Sequence, residues 1–186
     1  PLIMYESRIK LLYAFIIFAV AILIGIVSQR ADADFVRTIL GDGYVNMTLE
    51  NVEKGDVLAV YGRDNEMDTF FAITFNNVRV SFFAFAAGLL LSLGTGFMLF
   101  QNGVMVGCFF TFLAQQGFMN QAFKVVMLHG TLELSAIVIA GAAGFVMGNS
   151  ILFPGTYSRI DSFKKGAIKG LKIVMGLMPV FIMAGF

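Results

Sequence analysis

One histidine and one glutamate stand four residues apart at the start of a long apolar run. His129 and Glu133 would share one face of a helix, because positions i and i+4 lie one above the other. The run from 132 to 147 is mostly apolar and rich in small residues. Ionisable groups are rare and costly inside a bilayer, so a pair there favours a proton relay, half of a metal site or the lining of a cation pathway.

Other interpretations of this pair stay open. The chain has one histidine and one cysteine, Cys108, and zinc needs three or four ligands, which nearly excludes a histidine- or cysteine-based zinc site. A carboxylate-assisted site for another metal would have to recruit Asp or Glu from the outer loop, and we expect no metal and no cofactor. Glu133 would alternatively hydrogen-bond to Asn, Gln or Ser side chains of neighbouring helices, as polar residues in membranes commonly do. A third possibility is an intramembrane enzyme that acts on lipid-linked substrates with His129 as the base.

A second polar set precedes the next apolar segment and consists of Asn76, Asn77 and Arg79. We expect it at the outer mouth of the second span, at the same depth as Glu133, with which Arg79 would pair. At the opposite, cytoplasmic end of the second span, a tight turn is predicted at Gln101, Asn102 and Gly103.

The composition is that of a membrane protein. Hydrophobic residues make up 58% of the 186 residues and charged residues only 13%, whereas soluble domains carry about a quarter charged residues. The net charge of +1 argues against a nucleic-acid partner. The enzyme motifs G-x-x-x-x-G-K-[ST], C-x-x-C, G-x-S-x-G and H-E-x-x-H are absent from the sequence, so we expect no enzymatic activity.

The apolar segments predict an all-α, polytopic transmembrane helical bundle in a single membrane domain, 1–186. Segment lengths near those needed to cross a bilayer place about five spans near 11–28, 78–100, 103–117, 128–148 and 168–186. The polar residues 29–74 hold nine acids and four bases and form a loop between spans one and two. Two short helices are predicted in it: Asp34 caps one that ends at Gly41, and Thr48 caps one that ends at Gly55. Both chain ends suggest a fragment of a longer protein.

Charge predicts the orientation in a cytoplasmic (inner) membrane. Pro154 and Gly155 break the chain, and a basic connector containing Arg159 follows, with five bases and one acid between 154 and 172. The positive-inside rule places this connector and the N-terminus in the cytoplasm and the loop 29–74 outside. Small residues four apart allow close helix approach at Gly88, Ser92, Gly96, Gly103, Gly107, Ala140, Gly144 and Gly148. Such faces suggest a homodimer, or they serve packing within the chain.

These residues together resemble the stage II sporulation protein M family. The resemblance rests on motifs that occur in order along most of the chain: Tyr44-Val45-Asn46-Met47-Thr48, Phe75-Asn76-Asn77-Val78-Arg79-Val80, Leu93-Gly94-Thr95-Gly96, Gln101-Asn102-Gly103, His129-Gly130-Thr131-Leu132-Glu133-Leu134-Ser135-Ala136-Ile137 and Pro154-Gly155-Thr156-Tyr157-Ser158-Arg159. It implies an integral membrane domain. It also implies partners, because the founding member works with two other proteins, one of them a peptidoglycan hydrolase, when one cell engulfs another.

The sequence therefore favours a non-enzymatic scaffold that recruits other membrane or envelope proteins of a bacterial envelope complex, embedded in the lipid bilayer. The alternative is a transporter or channel that uses Glu133 and His129.

Overall fold

The structure is a computed structural model that describes the backbone of residues 2–53 and 66–185, and their side chains except at 52–53, 66–74, 119–129 and 184–185. These residues form α1 Leu2–Glu6, α2 Arg8–Ala31, α3 Phe35–Leu40, α4 Asp42–Glu53, α5 Glu66–Ala86, α6 Leu93–Gln115, α7 Met119–Leu152 and α8 Arg159–Gly185, with a 3₁₀ turn at Ala87–Leu89. No strand occurs in this part of the chain, and the predicted all-α fold is confirmed.

Four segments are long and apolar enough to cross a membrane within the described residues: Arg8–Ala31, Leu93–Gln115, Gly130–Leu152 and Arg159–Met183. Helix α5 has 21 residues and is about 31 Å long, so it is a fifth helix of spanning length. The prediction of about five spans agrees with this count.

The boundary between the second and third spans is not where the sequence suggested. Residues 101–103, the predicted turn, lie inside α6, and the chain instead turns at 87–92, between α5 and α6. The predicted spans 78–100 and 103–117 are therefore replaced by α5 and α6. The turn is made by Leu91 and Ser92, with φ of 52° and 69°. Left-handed backbone at residues other than glycine is strained, so the surrounding packing must hold this turn in place.

Glycines set how closely the long helices approach. A Cβ built on Gly103 would lie 2.6 Å from Ala21 Cβ and 2.8 Å from Phe18 O, and one on Gly107 would meet the backbone of Ile22. The later glycine of α6 contacts the later residue of α2, so α2 and α6 run parallel.

Helix α7 runs in the opposite direction to α6, because its Gly141 meets Leu99 whereas the later Gly148 meets Ser92. Helix α5 runs parallel to α7, and Gly88 and Gly144 touch. These small-residue faces are therefore occupied by contacts within the chain. The homodimer stays a prediction, and the four-residue spacing of small residues no longer supports it.

The bundle has a basic end and an acidic end. The basic end holds the start of α2, the turn 87–92 and the start of α8, where Lys169 Nζ lies 2.6 Å from Glu6 Oε2. The acidic end holds the end of α2, α3, α4 and the end of α6. There the apolar sides of α3 and α4 pack on α6, with Val36 and Val45 buried against Cys108 and Phe112.

The predicted helix between Asp34 and Gly41 is present as α3, but the predicted Asp34 cap is wrong, because Asp34 itself has helical backbone angles and its side chain makes no capping hydrogen bond. The predicted Thr48 cap is wrong, because α4 begins at Asp42 and the Thr48 hydroxyl donates to Tyr44 O one turn back. The predicted end of that helix at Gly55 lies outside the described residues.

The predicted break at Pro154 and Gly155 is present between α7 and α8, with Gly155 at φ 62°. Helix α8 begins at Arg159, so the bases assigned to a connector stand on the first turns of a helix. Ser158 and Asp161 explain this start. The Asp161 N–H donates to Ser158 Oγ at 3.1 Å, and the Ser158 hydroxyl donates to the Asp161 carboxylate at 2.6 Å. The Ser158 hydroxyl thus caps the helix, because it accepts from one of the amides that the first turn leaves unpaired.

Candidate functional site

Asn77 and Glu133 lie at the same depth on facing sides of α5 and α7. Asn77 precedes Gly88 by eleven residues, and Glu133 precedes Gly144 by eleven residues. Eleven residues are three helical turns and about 16 Å, so each polar residue shares a face with its glycine. Because Gly88 and Gly144 touch and the two helices are parallel, Asn77 is on the side of α5 turned toward α7, and Glu133 is on the side of α7 turned toward α5. Both side chains are half-buried.

Asn102 approaches the same region from α6. It follows Thr95 by about two turns and therefore shares the face that contacts Gly144. It lies about 14 Å from the start of α6 and about 20 Å from its end. The sequence placed Asn77 at the outer mouth and Asn102 at the cytoplasmic end. The structure brings both to the middle depth of the bundle, because the turn between their helices lies at 87–92.

Asn102 does not need a partner helix to satisfy its amide. Its Nδ2 donates to Met98 O at 2.8 Å, one turn back in α6. This bond explains why the predicted turn residue is tolerated inside a helix, since backbone carbonyls are available acceptors for short polar side chains.

Ser81 is a member of this group that the sequence analysis missed. It lies one turn after Asn77 on α5, is fully buried, and its Oγ has no hydrogen-bond partner among the described atoms. A single serine in an apolar run gives no sequence signal, because serine is common in membrane helices as a small residue. We name Asn77, Ser81, Asn102 and Glu133 the mid-depth polar group.

Arg79 and Asn76 stand apart from this group, both exposed. The guanidinium of Arg79 lies over the Phe83 ring, with its Cζ 5.5 Å from the ring centroid. The expected Arg79–Glu133 ion pair is not among the ion pairs of the described side chains. The physical reason is that Arg79 faces α8 whereas Glu133 is turned toward the other side of α5.

The described residues among the remaining candidates lie outside the mid-depth polar group. The side chain of His129 lies outside the described residues, and the next residue, Gly130, is buried. Gly103 serves the contact between α2 and α6. Pro154, Gly155 and Arg159 lie at the basic end, past the end of α7, which is itself about 28 Å along the helix from Glu133.

A second polar cluster, also missed, joins α2 to α6 near the acidic end. The Gln29 side chain is 1% exposed, and its Nε2 donates to Gln115 Oε1 at 3.0 Å and to Ala33 O at 3.3 Å. The thiol of Cys108 donates to Gln29 Oε1 at 3.4 Å, and Gln115 Nε2 donates to Gln29 O at 3.4 Å. The cluster is satisfied internally, which favours a structural role. Its sequence signal was a glutamine at the end of an apolar span.

The chemistry open to the mid-depth polar group is hydrogen bonding and, at Glu133, proton exchange. Within the part of the chain that the structure describes, no three His, Cys, Asp or Glu side chains are close enough to hold a metal ion.

Two of the lateral grooves formed by the described residues have mostly apolar walls. The larger, about 660 Å³, lies between α2 and α7 and is lined by apolar side chains such as Phe15, Ala19 and Val138, with Arg8 at its basic end. The smaller, about 360 Å³, lies between α5 and α8 and contains Arg79. We name them the α2–α7 groove and the α5–α8 groove.

The comparison with known families agrees with the motifs. The family model of stage II sporulation protein M matches residues 14–186. No curated protein and no solved structure matches this chain. The match extends over nearly the whole chain, from the first turns of α2 through α8, and includes every helix that contributes to the mid-depth polar group and to both grooves. The chain therefore belongs to the stage II sporulation protein M family of membrane proteins.

Proposed function

We propose that this chain is a non-enzymatic membrane subunit that holds partner proteins of a bacterial envelope complex. The observation that carries the proposal is the α2–α7 groove, which is long, apolar and open at the side of the bundle. The glycine faces that most often join membrane helices are already used inside the chain, so the bundle is preassembled. A preassembled bundle with open side grooves suits the binding of other membrane proteins.

The proposal includes an orientation in the cytoplasmic membrane. The basic end, with Arg8, Lys10 and the bases of α8, would face the cytoplasm, and α3 and α4 would lie outside. Anionic headgroups of the inner leaflet favour this arrangement.

Crosslinking in the native membrane tests the groove. A photoreactive amino acid would replace Phe15, which lines the α2–α7 groove, and in a matched control it would replace Phe97, which does not. Both phenylalanines are 59% exposed. We expect the probe at position 15 to capture a membrane protein that also co-purifies in a fixed ratio with the untreated complex, and that recovers this chain when it is itself tagged. Equal capture from both positions, or a complex that contains this chain alone, would refute the proposal.

A transporter is the second candidate, and the facing positions of Asn77 and Glu133 at mid-depth favour it. Purified protein in vesicles would then conduct protons or cations. Glu133→Gln would abolish this flux, whereas Glu50→Gln, which removes an exposed acid of α4, would leave it unchanged. Flux that persists in Glu133→Gln would exclude a pathway through this carboxylate.

A further inference from the structure

Arg79 is a cation on the apolar side of the bundle. It lies about 10 Å before the last residue of α5, well inside the depth over which the surrounding helices are apolar. The other side chains that line its groove are all apolar, among them Phe83 on α5 and Val174, Met178 and Phe181 on α8. Charged side chains at such positions are costly and are generally paired, so the pairing group of Arg79 identifies what the groove binds.

The described part of this chain does not supply that group. No described carboxylate forms an ion pair with Arg79, and the aromatic contact with Phe83 only partly offsets the loss of water. Glu133, the acid at mid-depth on α7, is turned toward the opposite side of α5. A second copy of the chain would therefore present no exposed carboxylate at this depth from its described residues.

Lipid phosphates are also poorly placed to pair with Arg79. The Cα of Arg79 lies about 10 Å along α5 from its nearer, basic end and about 20 Å from its other end. The guanidinium rests on the ring of Phe83, one turn toward the basic end, and this contact keeps it among the apolar walls of the groove.

We propose that the α5–α8 groove binds a transmembrane helix of another membrane protein, and that an aspartate or glutamate on that helix pairs with Arg79. Arginine and a carboxylate form a two-bond, planar pair, which fixes the depth and rotation of the bound helix. The apolar walls of the groove pack the rest of the helix. This inference rests on the proposed function and identifies one contact between the bundle and a partner protein.

Crosslinking from α8 tests this contact in the full-length protein in its native membrane. A photoreactive amino acid would replace Met178, which lines the groove, or Met183, an exposed methionine of the same helix that does not. We expect capture from position 178 alone. The captured peptide should be a transmembrane segment that contains an aspartate or glutamate.

Substitutions on both sides of the contact then test whether the ion pair holds the bound helix. Arg79→Gln should reduce capture from position 178 by roughly tenfold or more, and Arg79→Lys should retain more of it. Changing the partner's carboxylate to its amide should reduce capture by the same factor. Combining that change with Arg79→Gln should reduce capture little further, because each change alone already removes the same ion pair. The partner-side change keeps this test valid if Arg79→Gln disturbs folding.

Three results would overturn the inference: capture of a second copy of this chain, capture of phospholipid without protein, or capture that Arg79→Gln leaves unchanged. They are distinguishable from failure of the proposed function. If partners still co-purify with Arg79→Gln, the scaffold proposal stands and the partner is held by a different contact. If the chain purifies alone in every variant, both the scaffold proposal and this inference are refuted.

Discussion

The close contact at Gly103 predicts a specific loss of stability on adding a single methyl group. In Gly103→Ala the new Cβ would lie 2.6 Å from Ala21 Cβ and 2.8 Å from Phe18 O. Carbon atoms pack at about 3.5–4.0 Å, so α2 and α6 must separate by roughly 1 Å. One of the opposing atoms is backbone and the other is the Cβ of an alanine, so no side-chain rotation can relieve the contact. Overpacking of this kind costs about 1–3 kcal/mol.

Gly176→Ala is the matched control. Gly176 lies in α8 and has no atom within 4 Å of the position where a Cβ would be. Alanine is favoured over glycine inside a helix by about 1 kcal/mol, and this gain applies to both variants. The difference between the two variants therefore isolates the contact with α2. We expect Gly103→Ala to unfold at a temperature roughly 2–12 °C below that of Gly176→Ala, from the shift per kcal/mol typical of chains of this size.

The single cysteine provides the assay. The chain has no tryptophan, but Cys108 is fully buried between α2 and α6. A dye that fluoresces on reaction with thiols, added to detergent-solubilised protein during heating, reports when this interface opens. Equal unfolding temperatures for Gly103→Ala and Gly176→Ala, or a reversed order, would refute the assigned contact between α2 and α6.

Three further predictions concern the polar cluster, the strained turn and the depth of the polar residues. Gln29→Ala should destabilise the protein by about 1–3 kcal/mol in the same thiol assay, because its buried partners lose their hydrogen bonds, whereas the exposed Gln101→Ala should have little effect. Leu91→Gly should stabilise the protein by roughly 1 kcal/mol, because glycine removes the strain of left-handed backbone. Leu90→Gly is the control, because Leu90 has φ −82° and should gain nothing; an equal effect of both variants would contradict the left-handed conformation at Leu91. In a cysteine-free background, Leu90→Cys should react with a water-soluble thiol reagent applied at the basic end and Asn102→Cys should not; the reverse order would favour the turn that the sequence suggested.

The order of the helices could be predicted from sequence, but the place where α5 ends could not. Continuous apolar length is a property of the residues themselves, so the long helices and the acidic segment were recognisable. The tripeptide 101–103 carries the usual turn residues, yet it is helical, with Gly103 packed closely on α2 and the Asn102 amide bonded to Met98 O. The true turn contains three consecutive leucines, and Ser92 reaches its left-handed conformation where α5 and α6 pack against Gly148. That contact links residues more than fifty positions apart, and no local pattern contains it.

The same error displaced the candidate site. With the turn at 101–103, Asn77 and Asn102 belonged to opposite ends of one span, and Arg79 was free to face Glu133. Moving the turn to 87–92 brings both asparagines to the middle of the bundle and separates Arg79 from Glu133 across α5. The candidate site residues themselves remain predictions from sequence. Their grouping depended on helix register, which the glycine contacts fix and the sequence alone does not.

The two sides of α5 now suggest different uses, and one comparison separates them. The side with Asn77 and Ser81 is enclosed by α7 and α6, so its polar atoms serve either internal packing or a pathway through the bundle. The side with Arg79 is open to the membrane, so its charge is available to another protein. Glu133→Gln should therefore leave partner binding intact, and Arg79→Gln should leave any ion flux intact. If either substitution impaired both properties, the two sides of α5 would be coupled, and the assignment of separate roles would fail.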